Sequence, residues 1–363
     1  MKSTIFDRTS TSATAILAAM VVLLPVLGLG AVPGVSLPLY GVNLAGQVMC
    51  FALLAMSVDL IWGGAGVLSL GHGLFFALGG YIGAMHLLRS AYHATHALPD
   101  FLVFMGEKAF PGWWHFADSA VLTLVAVLVL PALVALVFGY VSFRSKVNGV
   151  YFSIITQALT YAAMLLMFRN DTGFGGNNGM TGFHDVMGLP IGGLKAAVLL
   201  ATVATALVLA TLVGGRVLLA SRFGRMMVAI RDDEPRLRFL GYDTLWLKLG
   251  VWCLSAALAA LAGMLYVPQV GIINPTLLDP SLSLEIPVWV AIGGRGGLCG
   301  AVLGAVLVNL LKSWLSVAAP GVWPFVLSLM VLFVVLLLPI GLLDIRNRSR
   351  AWLTQLSLPG VSR

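Results

Sequence analysis

Long apolar runs dominate this sequence and restrict its fold more than any other feature. About twenty apolar residues in a helix span the hydrocarbon core of a bilayer, and inside lipid only helices and closed barrels satisfy every backbone polar group. The runs predict an all-α polytopic membrane protein with roughly eight to ten transmembrane helices. Ten hydrophobic segments are present, at residues 14–30, 40–61, 66–88, 120–142, 150–168, 195–214, 247–268, 284–294, 298–317 and 322–342.

Composition and segment length refine this prediction. Only 10% of the residues are charged, whereas soluble domains carry about a quarter. The segment 284–294 is short and contains Pro287 and a Gly-Gly end. It is expected to be a broken or re-entrant helix rather than a full span. We expect residues 1–345 to form one transmembrane domain and residues 346–363 a short cytoplasmic tail.

The distribution of Lys and Arg predicts the orientation. With the N-terminus placed inside, sixteen of the 21 Lys and Arg fall on the inner side and five on the outer side. Cytoplasmic loops are enriched in these residues, so both termini are predicted to be cytoplasmic. This asymmetry accounts for the net charge of +7 without a nucleic-acid partner. Some of these cations are expected to contact anionic membrane lipid.

The N-terminal region and the cysteines give two further expectations. The apolar run after MKSTIFDRTS has features of a signal peptide, but it is as long as a span and more spans follow. This favours a retained first helix over a cleaved leader. Cys50, Cys253 and Cys299 all lie in apolar runs without metal-ligand spacing, which predicts free, buried thiols.

The longest outer loop, residues 89–119, contains His93 and His96 at i,i+3 spacing and the pair Trp113 and Trp114. A metal site would need further Cys or carboxylate ligands at suitable spacing, and the loop has none. We therefore predict no metal site. The Trp pair instead indicates an interfacial loop, with both indoles at headgroup depth.

One inner segment, residues 216–246, is unlike the rest because charge is concentrated there. Seven Lys or Arg and four Asp or Glu lie between Arg216 and Lys248. Its first half has an apolar stripe at spacings of three and four, which predicts a short amphipathic helix. The stripe consists of Phe223, Met226, Met227 and Ile230.

The second half of this segment predicts another short helix. Asp233 is placed to cap it and Pro235 lies in its first turn, where proline is tolerated. Leu237 and Leu240 would form its apolar face, and Gly241 fits its end. The segment thus has the pattern of one or two helices lying at the cytoplasmic surface.

Two kinds of surface fit such helices. A lipid surface would attract the basic residues but would repel Asp232, Asp233 and Glu234. Mixed charge around a small apolar patch suits a protein partner better. We therefore expect the segment to dock a protein.

The run AIRDDE…LGYD resembles the cytoplasmic coupling loop of ABC importer permeases, which often carries an E-A-A…G signature. Glu234 and Gly241 match the ends of that signature, while Pro235 and Arg236 replace its usual alanines. Other stretches resemble the branched-chain amino acid/urea ABC permease family from about residue 40 to residue 345. They are GVLSLGHGLFFALGGYIGA (66–84), GVYFSIITQALTYA (149–162), GGNNGMTGF (175–183) and GGRGGLCGAVLGA (293–305). SIITQA, RNDTGFGGNNG and the insert beginning LPDFLVF are most similar to the urea permease subunit, the longer of the two membrane subunits.

The resemblance implies a bacterial inner-membrane permease and a set of partners. These are a second homologous permease subunit, two ABC ATPase subunits and a periplasmic substrate-binding protein. The chain has no G-x-x-x-x-G-K-[ST] phosphate loop, so ATP and Mg²⁺ are expected on the partner ATPase and no cofactor in this chain. The expected ATPase-coupling residues are Arg222, Arg225, Ala229, Arg231, Asp232, Glu234 and Gly241.

Polar residues within the spans are candidates for the translocation path. Gly71 and Gly73 flank His72, which suggests a locally opened helix with Ser69 and His72 lining a cavity. A buried, hydrogen-bonded histidine explains His72 equally well. The glycines around it also fit close helix packing.

A second group of candidates lies in YFSIITQALTYA. Ser153, Thr156 and Thr160 share one helical face, and Gln157 lies beside it. Such a stripe should face the bundle interior, either as helix–helix hydrogen bonds or as a neutral route. Urea, with a carbonyl acceptor and four N–H donors, would suit the Gln amide.

Asn177 and Asn178 in GGNNG are candidates for an outer entry gate. A plain turn is the alternative reading of this glycine-rich stretch.

Three classes of function compete. An ABC importer permease for a small neutral solute, most simply urea or a short amide, explains the charged segment 216–246. A passive urea or ammonia channel would not need that segment. No HExxH or GxSxG motif supports an enzyme. Asp59 and Glu285 are the acids near spans, both by predicted ends, and we expect no paired carboxylates and no lysine inside a span. This argues against proton- or sodium-coupled transport. Branched-chain amino acids remain the alternative substrate, because an external binding protein selects the ligand in this family.

Overall fold

The structure is a computed structural model that describes residues 3–28, 38–104, 106, 109–147 and 149–337. The predicted tail 346–363 lies outside the described residues. Within the described ranges the chain is almost entirely helical, as the apolar runs predict. The α-helices are α1 (Ser3–Gly28), α2 (Leu39–Ala65), α3 (His72–Thr95), α4 (Asp100–Phe104), α5 (Ala120–Arg144), α6 (Val150–Met167), α7 (Leu194–Ala220), α8 (Arg222–Phe239), α9 (Thr244–Val270), α10 (Pro280–Gly293), α11 (Leu298–Ala318) and α12 (Trp323–Leu337).

Eight of the described helices are long and apolar enough to cross a membrane, namely α1, α2, α3, α5, α6, α7, α9 and α11. This confirms an all-α polytopic membrane protein. The helices α10 and α12 are shorter. With 14 residues, α10 is about 21 Å long at 1.5 Å per residue, less than the 30 Å hydrocarbon core. Pro287 lies inside it, as the sequence indicated.

Helix α2 forms the centre of the bundle. Most of its residues are buried, and it packs against α7, α9 and α11. Helices α3 and α9 pack along each other more extensively than any other described pair. Their backbones approach closely because each has a glycine at the crossing. A Cβ atom built on Gly79 would lie 2.0 Å from the Ala260 carbonyl oxygen, and one on Gly263 would lie 1.8 Å from the Phe76 carbonyl oxygen.

We expect Gly263→Ala to destabilise the protein, because the added methyl group forces α3 and α9 apart. Overpacking of a tight core costs about 1–3 kcal/mol. The matched control is Gly214→Ala on α7, where an added Cβ meets nothing within 4 Å and the better helix propensity of alanine acts alone. The midpoint of thermal unfolding in detergent should fall for the first variant and stay level or rise for the second. A Gly263→Ala midpoint equal to wild type would contradict this packing.

The two ends of the bundle differ in character. At one end, here called the α8 end, α8 lies between α7 and α9 and contacts α2. The opposite end carries the longer connections, with a small hairpin of β1 (Asp185–Val186) and β2 (Leu189–Pro190). An antiparallel bridge there joins Met180 to Ile273. Short 3-10 turns complete this end, at Gly112–Asp118, Asn170–Thr172, Gly176–Asn178 and Pro275–Leu278.

The connection after α3 corrects one expectation about the Trp pair. Trp113 is about half exposed, but Trp114 is fully buried against Phe101 and Phe110. Only the Trp113 indole is therefore exposed enough to contact lipid headgroups. The short helix α4 supplies part of the apolar pocket that encloses Trp114. The local sequence does not indicate that Trp114 enters this pocket.

His93 and His115 of this connection lie beside the Asp118 carboxylate. Arg89 binds Asp118 with two hydrogen bonds, and His93 lies 3.1 Å from the same carboxylate. These hydrogen bonds hold the pKa of Asp118 below its ordinary value, and the bond from Arg89 has the largest effect. Among the described residues no group of three or more His, Cys, Asp or Glu is placed to hold a metal ion.

The three cysteines take part in no disulfide among the described residues. Cys50 and Cys299 are buried, while Cys253 is only half-buried.

Candidate functional site

Helix α8 is two helices joined by a kink, in agreement with the predicted pair. The backbone at Asp233 leaves the helical region, with φ −159° and ψ 88°. Its side chain accepts a hydrogen bond from the Arg236 backbone N–H at 3.1 Å, which is the predicted N-cap. Pro235 occupies the first turn after the kink, and Gly241 ends the segment with φ +86°.

One face of α8 packs on the bundle and the other is open. Gly224, Met227, Ile230 and Leu237 are buried. Leu240, expected on the same apolar face, is instead 70% exposed, because the second helix ends one residue before it. The exposed side chains include several expected to contact an ATPase, namely Arg222, Arg225, Arg231 and Asp232. Ala229 is partly buried beside them.

Glu234 is turned away from this open face. Its carboxylate accepts hydrogen bonds from Arg238, Thr244 and Lys248 at 2.7, 2.9 and 2.6 Å. Burial alone would raise the pKa of Glu234. The hydrogen bond and charge of Lys248, with the bonds from Thr244 and Arg238, outweigh burial and hold the pKa below its ordinary value. This ion pair fixes the second part of α8 to the start of α9.

Arg231 links α8 to the centre of the bundle. Its guanidinium donates to the Gly63 carbonyl at 2.8 Å and to Asp232 at 3.1 Å. One turn earlier in α2, the Asp59 carboxylate accepts a 2.7 Å hydrogen bond from the Gly296 N–H. The α10–α11 turn, α2 and α8 therefore meet at one point. Displacement of α8 would act directly on both neighbours.

The structure places Ser69 and His72 in the interior of the chain. The non-helical stretch is 66–71, and His72 begins α3, so the opening precedes the histidine rather than surrounding it. The His72 Nε2 atom lies 2.5 Å from the Ser255 hydroxyl, and the ring packs edge-on against Trp252. Ser69 accepts a hydrogen bond from the Gly71 N–H. In this conformation both residues are enclosed by protein.

The hydroxyl stripe of α6 also faces inward. Ser153 donates to the Leu68 carbonyl at 2.8 Å, and the Thr156 hydroxyl accepts from the Leu70 N–H at 3.1 Å. Thr160 bonds within its own helix. Ser153 and Thr156 thus hold the non-helical stretch 66–71 against α6.

Gln157 and the Asn pair differ from this stripe. Both polar atoms of the Gln157 amide are inside the protein and have no hydrogen-bond partner among the described residues. The amide is thus not directed to lipid, and its role in a path stays a prediction. Asn177 and Asn178 are exposed in a 3-10 turn between left-handed Gly175 and Gly179, at the opposite end from α8.

A polar cleft missed by the sequence interpretation lies between the halves of α2 and α11 nearest the opposite end. Its volume is about 250 Å³. The signal was present, because Asn43 and Gln47 are four residues apart in α2, and Asn309, Lys312 and Ser313 share a face of α11. The lining residues are Tyr40, Asn43, Leu44, Gln47, Val48, Phe51, Asn309, Lys312 and Ser313.

Comparison with known proteins identifies the chain at the level of family. Residues 40–338 match the family described as branched-chain amino acid transport system / permease component. The chain belongs to this family. Its members are membrane permeases, and together with the eight candidate spans this makes the chain a multi-pass inner-membrane protein.

Individual relatives are distant. The chain is 25% identical over 289 residues to the high-affinity branched-chain amino acid transport system permease protein LivM of Escherichia coli K12, a match covering 74% of this chain and 61% of LivM. It is 24% identical over 207 residues to the ribose import permease protein RbsC of the same strain, covering 54% and 62%. A probable LivM of Methanocaldococcus jannaschii is 24% identical over 217 residues, covering 56% and 62%. The matches therefore span about three fifths of these relatives. No solved structure matches the chain.

Proposed function

We propose that this chain is the membrane-spanning permease subunit of an ATP-driven ABC importer and that its solute is urea or another short amide. The observation that carries the importer assignment is α8, an amphipathic helix with an open charged face at one end of the bundle. Its other face is fastened to α2, α7 and α9. A passive channel has no use for such a surface, and the family match agrees with an importer subunit.

The partners follow from this assignment. The exposed face of α8 would receive an ATPase subunit in the cytoplasm, where the excess of Lys and Arg places the α8 end. ATP hydrolysis would belong to that ATPase and not to this chain. A second, homologous permease subunit would complete the membrane domain, and a periplasmic binding protein would deliver the solute to the opposite end.

The urea assignment rests on sequence resemblance in SIITQA, RNDTGFGGNNG and the LPDFLVF insert. The neutral hydrogen-bonding character of Gln157 and the α6 hydroxyls is compatible with it. The relatives named LivM favour branched-chain amino acids as the alternative. Branched-chain amino acids are zwitterions, so they and urea both carry no net charge. Transport measurements are therefore needed to decide which of the two is the solute.

We expect cells that express the whole transporter to accumulate labelled urea and to stop doing so when ATP is depleted. The control is the same cells without this subunit. Leucine uptake measured in parallel decides between the two solutes, because leucine accumulation without urea accumulation would transfer the assignment to amino acids. Urea entry that persists without ATP would favour a passive channel.

A further inference from the structure

The cleft between α2 and α11 is polar at a depth where lipid would make polarity costly. Gln47 is eight residues from the start of α2 and Asn309 nine residues from the end of α11. At 1.5 Å per residue they lie about 12–14 Å below the helix ends. Polar side chains at such depth face a watery cavity or a protein partner rather than hydrocarbon.

Lys312, which is held by an ion pair, forms part of one wall of this cleft. Lys312 Nζ lies 3.0 and 2.8 Å from the two carboxylate oxygens of Glu285, and Trp323 Nε1 donates to that carboxylate at 3.1 Å. The Glu285 side chain is 5% exposed, whereas that of Lys312 is 36% exposed. The anion is therefore enclosed behind the cation. An ammonium has three donors, so with two engaged by Glu285 one remains for the cleft.

The remaining wall combines amide and hydroxyl groups with the apolar side chains of Leu44, Val48 and Phe51. Asn309 Nδ2 donates to the Ala305 carbonyl at 2.8 Å, and Gln47 Nε2 donates to the Gln269 carbonyl at 3.4 Å. An amide NH₂ group has two N–H donors, so Asn309 and Gln47 each keep one N–H, and both amide oxygens are left to accept. The Asn43 side chain has no hydrogen bond to any described residue and adds a third amide to the wall. The Tyr40 and Ser313 hydroxyls lie 3.1 Å apart and bridge the two helices.

This arrangement is complementary to a small amide. Urea has one carbonyl acceptor and four N–H donors. The cleft offers one charged donor from Lys312 and acceptor oxygens from Asn309 and Gln47. The Glu285–Lys312 pair has no net charge, which suits an uncharged solute. A water molecule occupies about 30 Å³ of liquid, so the volume of about 250 Å³ accommodates such a solute with several waters.

We infer that the α2–α11 cleft is a binding site for a small uncharged amide on its way through the membrane. The solute carbonyl faces Lys312, and its N–H groups face Asn309 and Gln47. This inference rests on the proposed function and adds to it the place where the solute is held. The cleft belongs to the half of the bundle away from α8, where a solute delivered from the periplasm would first meet this subunit.

The first test uses the assembled transporter, with all its subunits, in proteoliposomes. Gln47→Met combined with Asn309→Leu keeps the side-chain sizes similar and removes the acceptor oxygens. Urea uptake below saturation should fall about tenfold. The matched control is Ser316→Ala, since Ser316 is exposed on the same helix outside the cleft and bonds only to the Lys312 backbone carbonyl. Lys312→Met alone is unsuitable, because it leaves the enclosed Glu285 carboxylate without a counter-charge.

A second measurement does not depend on transport. Ser313→Cys places a thiol at the cleft, and a water-soluble methanethiosulfonate should label it from the periplasmic side. Urea should slow this labelling several-fold, and it should not slow labelling of Ser316→Cys. Wild type, with its three native cysteines, supplies the background.

The possible results distinguish a failure of the cleft as a solute site from a failure of the proposed function. Normal uptake in the double variant, or labelling of Ser313→Cys that urea leaves unchanged, would overturn the site. Loss of the second permease subunit on purification of the double variant would also overturn it and assign the cleft to a subunit interface. Wild type could instead take up leucine and not urea, and leucine could slow the labelling of Ser313→Cys where urea does not. That result would overturn both the amide assignment and the urea proposal, and it would keep the cleft as a solute site.

Discussion

Reversing two charges on the open face of α8, with Arg222→Glu and Arg225→Glu, should abolish ATP-driven uptake and leave the folded chain intact. Both side chains are exposed in the first turns of α8. The Arg225 guanidinium donates a hydrogen bond to the Ala220 carbonyl of the preceding helix end, at 3.1 Å. A partner surface complementary to two cations would meet two anions instead, and like charges brought together at an interface cost several kcal/mol.

The measurement pairs urea uptake with co-purification of the ATPase. We expect background uptake and no bound ATPase, with a normal amount of the permease in the membrane. The matched control is Arg144→Glu at the end of α5, which reverses a charge at the same end of the bundle. Its guanidinium bonds the Tyr140 hydroxyl one turn earlier in the same helix. Full uptake and ATPase binding by the double variant would show that α8 is not the ATPase surface.

The helices could be predicted because their signals are local. Each of the ten hydrophobic segments overlaps one helix of the structure, from α1 to α12 without α4 and α8. Both lipid contact and core packing require apolar residues, so the position and length of each helix can be predicted from a consecutive run of apolar residues. The cap at Asp233 was predictable for the same reason, since an N-cap and the proline after it involve neighbours in sequence.

The charged residues inside the bundle were not predictable in this way. The sequence was interpreted as having no intramembrane lysine, yet Lys248 lies within α9 and Lys312 within α11, each paired with a glutamate from another helix. Glu234 and Lys248 are 14 positions apart, and Glu285 and Lys312 are 27 apart. Such pairing depends on helix packing, which hydropathy does not encode. The same limit applies to the α2–α11 cleft. The polar pattern of each wall is local in sequence, but the contact between α2 and α11 is not.

Glu234 also shows why a motif position need not be a contact position. The resemblance to a coupling loop places it at the first position of the signature, as a residue expected to touch the ATPase. The structure directs its carboxylate to Lys248 and Thr244 instead. Its part in coupling stays a prediction, and in this geometry it would act by holding the second half of α8 in position.

Glu234→Gln should therefore destabilise the whole α8 end. The Lys248 side chain is only 3% exposed, so the variant removes the negative charge that Glu234 places beside an enclosed ammonium. Removing one partner of a buried pair costs about 3–5 kcal/mol, whereas replacing both with neutral groups is often harmless. The double variant Glu234→Gln with Lys248→Met should recover most of the lost stability. The midpoint of thermal unfolding in detergent measures both, and an unchanged midpoint for Glu234→Gln would contradict the importance of this pair.

The pH dependence of this stability supplies an independent check. The native pKa of Glu234 lies below its ordinary value of 4.5, so the unfolded chain takes up the proton first as pH falls. The contribution of the carboxylate is then complete above about pH 5.5 and is lost as pH falls from 4.5 through the native pKa. The difference in unfolding midpoint between wild type and the double variant should stay constant from pH 5.5 to 8 and change only in acid. A change centred near neutral pH would mean that Glu234 or Lys248 loses its charge there in the native state, which would contradict the ion pair.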